Sequence, residues 1–177
     1  MNNLSPAQQA MWNVFDRHMA AELAGDLDGT METMGNHPHV NHVPTRMGGV
    51  GRDGTREFYK NHLVGKFFPP DVEMIDVSRT IDEHQIVDEG IVRFTHTVEI
   101  DWMLPGVPPT GRRVEVAVVV IVKVTDGKVA HEHIYWDQAS VLVQLGLLDP
   151  TGLPVSGADS AQKVLDPKMP PRPWPDG

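Results

Sequence analysis

Residues 113–137 read RVEVAVVVIVKVTDGKVAHEHIYWD, and their pattern decides the architecture. Val116 to Val122 is an unbroken apolar run of mostly β-branched side chains, which favour a pleated strand over a helix. The run is far too short to cross a bilayer as a helix. Thr125-Asp126-Gly127-Lys128 carries the Asp-Gly of a tight hairpin turn, and Val129 to Asp137 is the returning strand. Successive strand residues point to opposite sides. His131, His133, Tyr135 and Asp137 therefore share one face, and Glu132, Ile134 and Trp136 share the other.

Upstream of this hairpin the strand character continues. Ile86 to Ile100 places Val92, Phe94, His96, Val98 and Ile100 on one face, with Arg93, Thr95, Thr97 and Glu99 on the other. Val72 to Ile81 alternates more loosely, and the Pro/Gly-rich DWMLPGVPPTG (101–111) is a connection. Before Pro70 the period changes. Ser5 caps a first helix, Pro6 suits its first position and Gln8 completes a capping box. Met11, Phe15, Met19 and Leu23 follow at helical spacing, and Leu27, Met31 and Met34 suit a second, short helix. HPHVNHVPTRMGGVGRDG (37–54) has no lasting period and reads as a loop or a short extended piece. Asp53 then caps a helix in which Thr55, Phe58, Tyr59, His62 and Leu63 share a face, and Phe67-Phe68-Pro69-Pro70 stops it. Ala139 to Gly146 reads as a short helix or cap. Helices first and antiparallel strands later mean an α+β fold: N-terminal helices packed on a cone-shaped, curved antiparallel or mixed sheet, enclosing a pocket. We expect a single cone-shaped domain over 1–150 and a Pro-rich arm over 151–177.

The 177 residues suffice for one domain with a real core. A net charge of −9 argues against nucleic acid and anionic membrane as partners. There is no cysteine, hence no thiol nucleophile and no disulfide. MNNLSPAQQAMW lacks the basic and apolar segments of a signal peptide, so a cytoplasmic protein is expected.

Polar groups that could do chemistry concentrate in three places: His37, His39, Asn41 and His42; His96 with Asp101 and Trp102; and HEHIYWDQ (131–138). If the His131/His133/Tyr135/Asp137 face lines a cavity, Asp137 is a carboxylate in a partly apolar site, usable as a general acid or base. Tyr135 and a histidine could then hold a carbonyl or enolate oxygen. The alternative is that this face is wet or lies in an interface, because half-buried antiparallel strands are common. His96 on its apolar face suits either a hydrogen-bonded core residue or a site residue. His18 and Glu22, four apart on the first helix, read as an edge pair on its flank. The imidazoles at 37, 39 and 42, and the pair at 131 and 133, have spacings that chelation permits, but no second motif completes either set, so no metal is expected. Gly48-Gly49-Val50-Gly51 lacks the Lys-Ser/Thr of a phosphate loop, and no G-x-S-x-G elbow occurs.

PPTGRRVEV (108–116) and VKVTDGKVAHEHIYWDQ (122–138), with HVPT, GGVG and REFY upstream, resemble the SnoaL-like polyketide cyclases of the nuclear-transport-factor-2-like superfamily over residues 7–146. The resemblance implies a cone-shaped pocket, a homodimer formed through the sheet, and a strand-end Asp acting in aldol closure without metal or cofactor. That Asp falls on Asp137. The chain departs from the family where a Trp often precedes this Asp by several residues: His133 stands near that place and Trp136 adjoins the Asp. The resulting expectation is an enzyme doing cofactor-free acid–base chemistry beside a carbonyl of a hydrophobic small molecule. Asp137, His133, Tyr135 and His96 would be catalytic. His42, Asn41, His131, Trp102, Phe15, Trp12 and Tyr59 would bind substrate. A non-catalytic ligand-binding domain and a His-rich metal-dependent enzyme are the rivals. An outward face carrying Ile134, Trp136 and several Val would call for a second copy to cover it.

Overall fold

The computed structural model describes residues 4–173. Helix α1 (Pro6–Ala24) starts at the expected capping box: Ser5 Oγ accepts from the Gln8 amide at 3.3 Å, and the Gln8 side chain accepts from the Ser5 amide at 2.9 Å. Helix α2 (Leu27–Thr33) follows. Strands β1 (Met34–His42) and β2 (Met47–Val50) lead to α3 (Gly51–Phe58), which widens into a π-helical turn over Tyr59–Leu63. Strands β3 (Glu73–Ile81), β4 (Gln85–Thr95), β5 (Arg113–Thr125) and β6 (Lys128–Trp136) come next, then α4 (Gln138–Gln144) and α5 (Asp159–Leu165).

One six-stranded sheet runs in the order β2-β1-β6-β5-β4-β3 and does not close into a barrel. Only β1 and β6 pair in parallel, so the sheet is mixed. Register shifts interrupt β3/β4 at Asp76/Ser78 and β5/β6 at Lys123/Val124, where local twist curls the sheet around the N-terminal helices. The core lies between them: Val114, Val116 and Val122 of β5 and Ile86 of β4 meet Phe15 and Met31 from the helices.

Three sequence readings are narrowed or changed. Of the two readings of 37–54, loop or short extended piece, the extended one holds. The stretch supplies most of β1 and all of β2, and its period is obscured because Pro38 sits inside β1, which is paired on both sides, and Gly48 and Gly49 sit in β2, the edge strand beside it. Gly48 and Gly49 are there for close approach. A Cβ on Gly48 would collide with the Val40 carbonyl oxygen, and one on Gly49 with the Gly54 carbonyl of α3. The α3 N-cap is Val50, with no side-chain cap, and not Asp53. The second change is that β4 stops at Thr95. The chain then turns inward, and Trp102, Met103 and Leu104 of the expected connection plug the core at 2%, 0% and 1% exposure. Third, the C-terminal arm contains α5, which packs on the outer side of β5 and buries Ala161. A Gly49→Ala protein should lose about 3 kcal/mol of stability through overpacking against backbone that cannot yield. Gly54→Ala, whose added Cβ meets nothing within 4 Å, should lose none. Paired urea titrations check both.

Candidate active site

The inner sheet face and the helices enclose a hollow of about 840 Å3, its open mouth included. Phe15, Phe67, Phe68, Trp102, Val118 and Ile134 make much of its wall apolar. Into that wall the fold sets Glu22 from the last turns of α1, Tyr59 from the π-turn, His42 from the end of β1 and Glu132 from the middle of β6.

His18 is fully buried beside the two acids. Its Nε2 lies 3.0 Å from Glu22 Oε1 and 3.3 Å from Glu132 Oε2. Its Nδ1 lies 2.6 Å from Thr33 Oγ1. The Thr33 hydroxyl already donates to the Thr30 carbonyl at 2.6 Å, so it can only accept from Nδ1. Nε2 in turn donates to the acids, and the ring is an imidazolium. Burial alone would lower its pKa, but the charges of Glu132 and Glu22 raise it well above the ordinary imidazole value. Glu132 also accepts from the Tyr59 hydroxyl at 3.0 Å. Burial would raise the Glu132 pKa, and His18 and Tyr59 outweigh burial and hold it below the usual carboxylate value. Glu22 moves the other way: burial, backed by the Glu132 charge, keeps its carboxyl raised despite His18. Burial and both acids raise Tyr59, which stays a phenol at neutral pH. Two carboxyl groups whose pKa values are pushed apart form a poised acid and base.

His18, Glu22 and Glu132 are close enough together to hold a cation. The imidazolium already supplies the positive charge between the two acids, and a metal would first have to displace its proton.

His42 is buried beside Trp102, at 4.7 Å between ring centroids. Its Nδ1 donates to the Met47 carbonyl at 3.3 Å, which leaves the lone pair on Nε2. Burial lowers its pKa to about 4, against the opposing pull of Glu132 and of the Met47 carbonyl. Below about pH 6.5 the unfolded chain takes a proton on this ring while the folded chain refuses it down to about 4. Stability should therefore fall by about 3 kcal/mol over that window from His42 alone. His42→Gln should flatten the decline, as urea midpoints at pH 7 and pH 4.5 would show.

Of the residues expected in the hollow, Phe15, His42, Tyr59 and Trp102 line it. The expected facing of β6 is reversed. Ile134 and Trp136 turn inward at 8% exposure each, and alternation carries Glu132 in with them at 3%. His131 and His133 are consequently half-buried on the outer face, and Tyr135 is 41% exposed there. Asp137 lies exposed past the strand end as the N-cap of α4, its carboxylate accepting from the Ser140 amide at 3.1 Å and the Ser140 hydroxyl at 2.6 Å. Asn41 sits on the outer face opposite His133. Trp12 lies under the Arg79 guanidinium, 4.3 Å away, and does not line the hollow. His96 is sealed away from the hollow, with Nδ1 accepting from the Thr110 amide at 3.3 Å and Nε2 unpartnered. Ile134 and Trp136, expected outward beneath a second copy, are buried within the chain, Ile134 in the wall of the hollow and Trp136 against Trp102 and His42. His18 and Glu22, read as a flanking pair, are the buried centre of the site.

A family model described as SnoaL-like polyketide cyclase matches residues 9–145. The chain belongs to that family. Among solved structures, a Jannaschia sp. CCS1 protein assigned as a SnoaL-like polyketide cyclase is 18% identical at a TM-score of 0.67, covering 84% of this chain and 100% of its own. AclR of Streptomyces galilaeus, assigned as a hydroxylase, is 23% identical at 0.59, covering 80% and 88%. IdmH of Streptomyces antibioticus, assigned as a polyketide cyclase, is 22% identical at 0.58, covering 77% and 98%. At these identities the likeness establishes the fold this SnoaL-like protein shares with them. No curated protein matches it significantly. No helix among its described residues is long and apolar enough to cross a membrane.

Proposed function

We propose that this SnoaL-like protein is an enzyme of the cyclase or isomerase kind that moves a proton at the carbon beside a carbonyl of a hydrophobic, ring-bearing substrate. One observation carries this reading: a carboxylate and a raised carboxyl, Glu132 and Glu22, stand together in an apolar hollow. Burying such groups costs stability, and packed apolar side chains would serve the fold as well or better. Perturbed acids in a cleft are characteristic of working sites.

The roles follow from the contacts. Both protein contacts of Glu132 fall on Oε2, so Oε1 is the oxygen offered to a substrate C–H. Glu22, whose carboxyl burial keeps raised, is the group placed to give a proton to the substrate oxygen as negative charge develops there. His18 positions both acids, and His42 with Trp102 bounds the apolar side. Membership of a cyclase family supports the reaction class, and the aromatic wall supports the substrate class.

The natural substrate is not required for the test. Cyclic and aromatic ketones are incubated with the protein in D2O, and deuterium uptake beside the carbonyl is followed by NMR. Uptake at least about 10²-fold above buffer is expected for one or more compounds. Saturable binding across the panel with no uptake would make the hollow a binding pocket only.

A further inference from the structure

The outer face of the sheet carries a second histidine cluster, separate from the hollow. Parallel pairing of β1 with β6 sets His39 opposite His131 and Asn41 opposite His133, which brings three imidazoles together. His39 Nε2 and His133 Nε2 are 3.0 Å apart. Ring centroids lie 4.8 Å apart for His39 and His131, 5.1 Å for His39 and His133, and 4.4 Å for His131 and His133. Each ring offers a nitrogen within 4.8 Å of the other two.

We propose that His39, His131 and His133 form a site for one divalent transition-metal ion of borderline softness, zinc foremost, with water completing the coordination. The inference is independent of the reaction proposed for the hollow.

The geometry is close to what the ion needs. Zinc–imidazole bonds of about 2.0–2.1 Å in a tetrahedron set ligand nitrogens about 3.3 Å apart. His39 Nε2 and His133 Nε2 stand at 3.0 Å, a His131 nitrogen lies within 4.8 Å of both, and ring rotations bring the three onto one ion. The ligands stand on two paired strands that are both interior to the sheet, so their backbones are held in register without the ion. All three rings are half-buried, which leaves a solvent side for water and for entry. Crowding supplies a reason for binding. Metal ligation takes neutral imidazoles, and each of the three rings already brings a nitrogen within 4.8 Å of the other two. The donor set also sets selectivity. Glu132 points to the other side of the sheet, and Asn41, Ile121 and Lys123 are the cross-strand neighbours of these histidines. A purely imidazole set suits zinc, nickel, cobalt or copper and not magnesium or calcium, which require oxygen. Lys123 opposes any cation, but it is exposed and can swing into solvent.

His39-Val40-Asn41 and His131-Glu132-His133 are two incomplete motifs in the sequence. The parallel strand pair makes them one site.

The experiment uses the full-length protein without a histidine tag, stripped with EDTA. Titration calorimetry with zinc chloride should give one ion per chain with a Kd of about 10 μM or tighter, and magnesium chloride should give no response. Cobalt should produce the intense visible bands of a low-coordinate nitrogen site. Saturating zinc should raise the melting temperature by about 5–10 °C. His39→Ala and His133→Ala should each weaken zinc at least about 10²-fold, with His39→Gln and His133→Gln standing in if either fails to fold. Absence of saturable zinc binding below about 100 μM, the weak range of a surface histidine pair, would overturn the proposal. So would zinc binding that persists when both His39 and His133 are replaced, since the ion would then lie elsewhere.

Discussion

Glu132→Gln is expected to lower the rate of carbonyl-adjacent deuterium exchange by at least about 10²-fold with the fold intact. Gln keeps the size of the side chain and an oxygen to accept from Tyr59 Oη and His18 Nε2, now 3.0 Å and 3.3 Å from Glu132 Oε2. What it removes is the carboxylate that His18 and Tyr59 hold below the usual carboxylate value. A loss confined to KM would mean that Glu132 only binds. Loss in kcat, with circular dichroism melts close to wild type, means that it takes the proton. The informative contrast is Asp137→Asn. Asn caps a helix as well as Asp does, so α4 should hold, and the exposed position of Asp137 predicts undiminished exchange. If instead Asp137→Asn abolishes exchange and Glu132→Gln does not, the inward acids are not the machinery.

The second large effect is on stability. His18→Leu should cost about 3–5 kcal/mol, because it leaves Glu22 and Glu132 facing each other in an apolar wall without the charge that separates them. For a chain of this size that corresponds to a fall in melting temperature of about 10–15 °C. The protein with all three groups replaced, His18→Leu with Glu22→Leu and Glu132→Leu, should recover much of the loss and show no exchange. Recovery without activity is the signature of a cluster retained for chemistry at the expense of the fold. A triple variant as unstable as His18→Leu would show that the cluster is a structural element in its own right.

Part of the site is legible in the sequence. The buried stripe of α1 is Met11, Val14, Phe15, His18 and Glu22, and its spacing of three and four is a helix signal in the sequence itself. Following Met11, Phe15, Met19 and Leu23 in steps of four misses it. Each such step drifts about 40° around the helix, so Leu23 has left the buried face and is 54% exposed. A titratable pair on the true stripe marks the hollow. The β1–β2 pair is harder to see, because Pro38, Gly48 and Gly49 obscure a strand pattern that exists only once β6 and α3 are in place.

By itself the sequence determined the α+β order, the hairpin at Asp126-Gly127, the capped first helix and the division of β6 into two sets of side chains. Each follows from local periodicity and backbone preference. It could not say which set of β6 faces inward, since alternation looks the same from either side of a sheet. That choice was made by the inner apolar contacts, Ile134 in the wall of the hollow and Trp136 against Trp102 and His42, which bring Glu132 in with them. The same choice sent His131 and His133 outward to meet His39, a residue 92 positions away from His131 by number and adjacent only through a parallel strand pair.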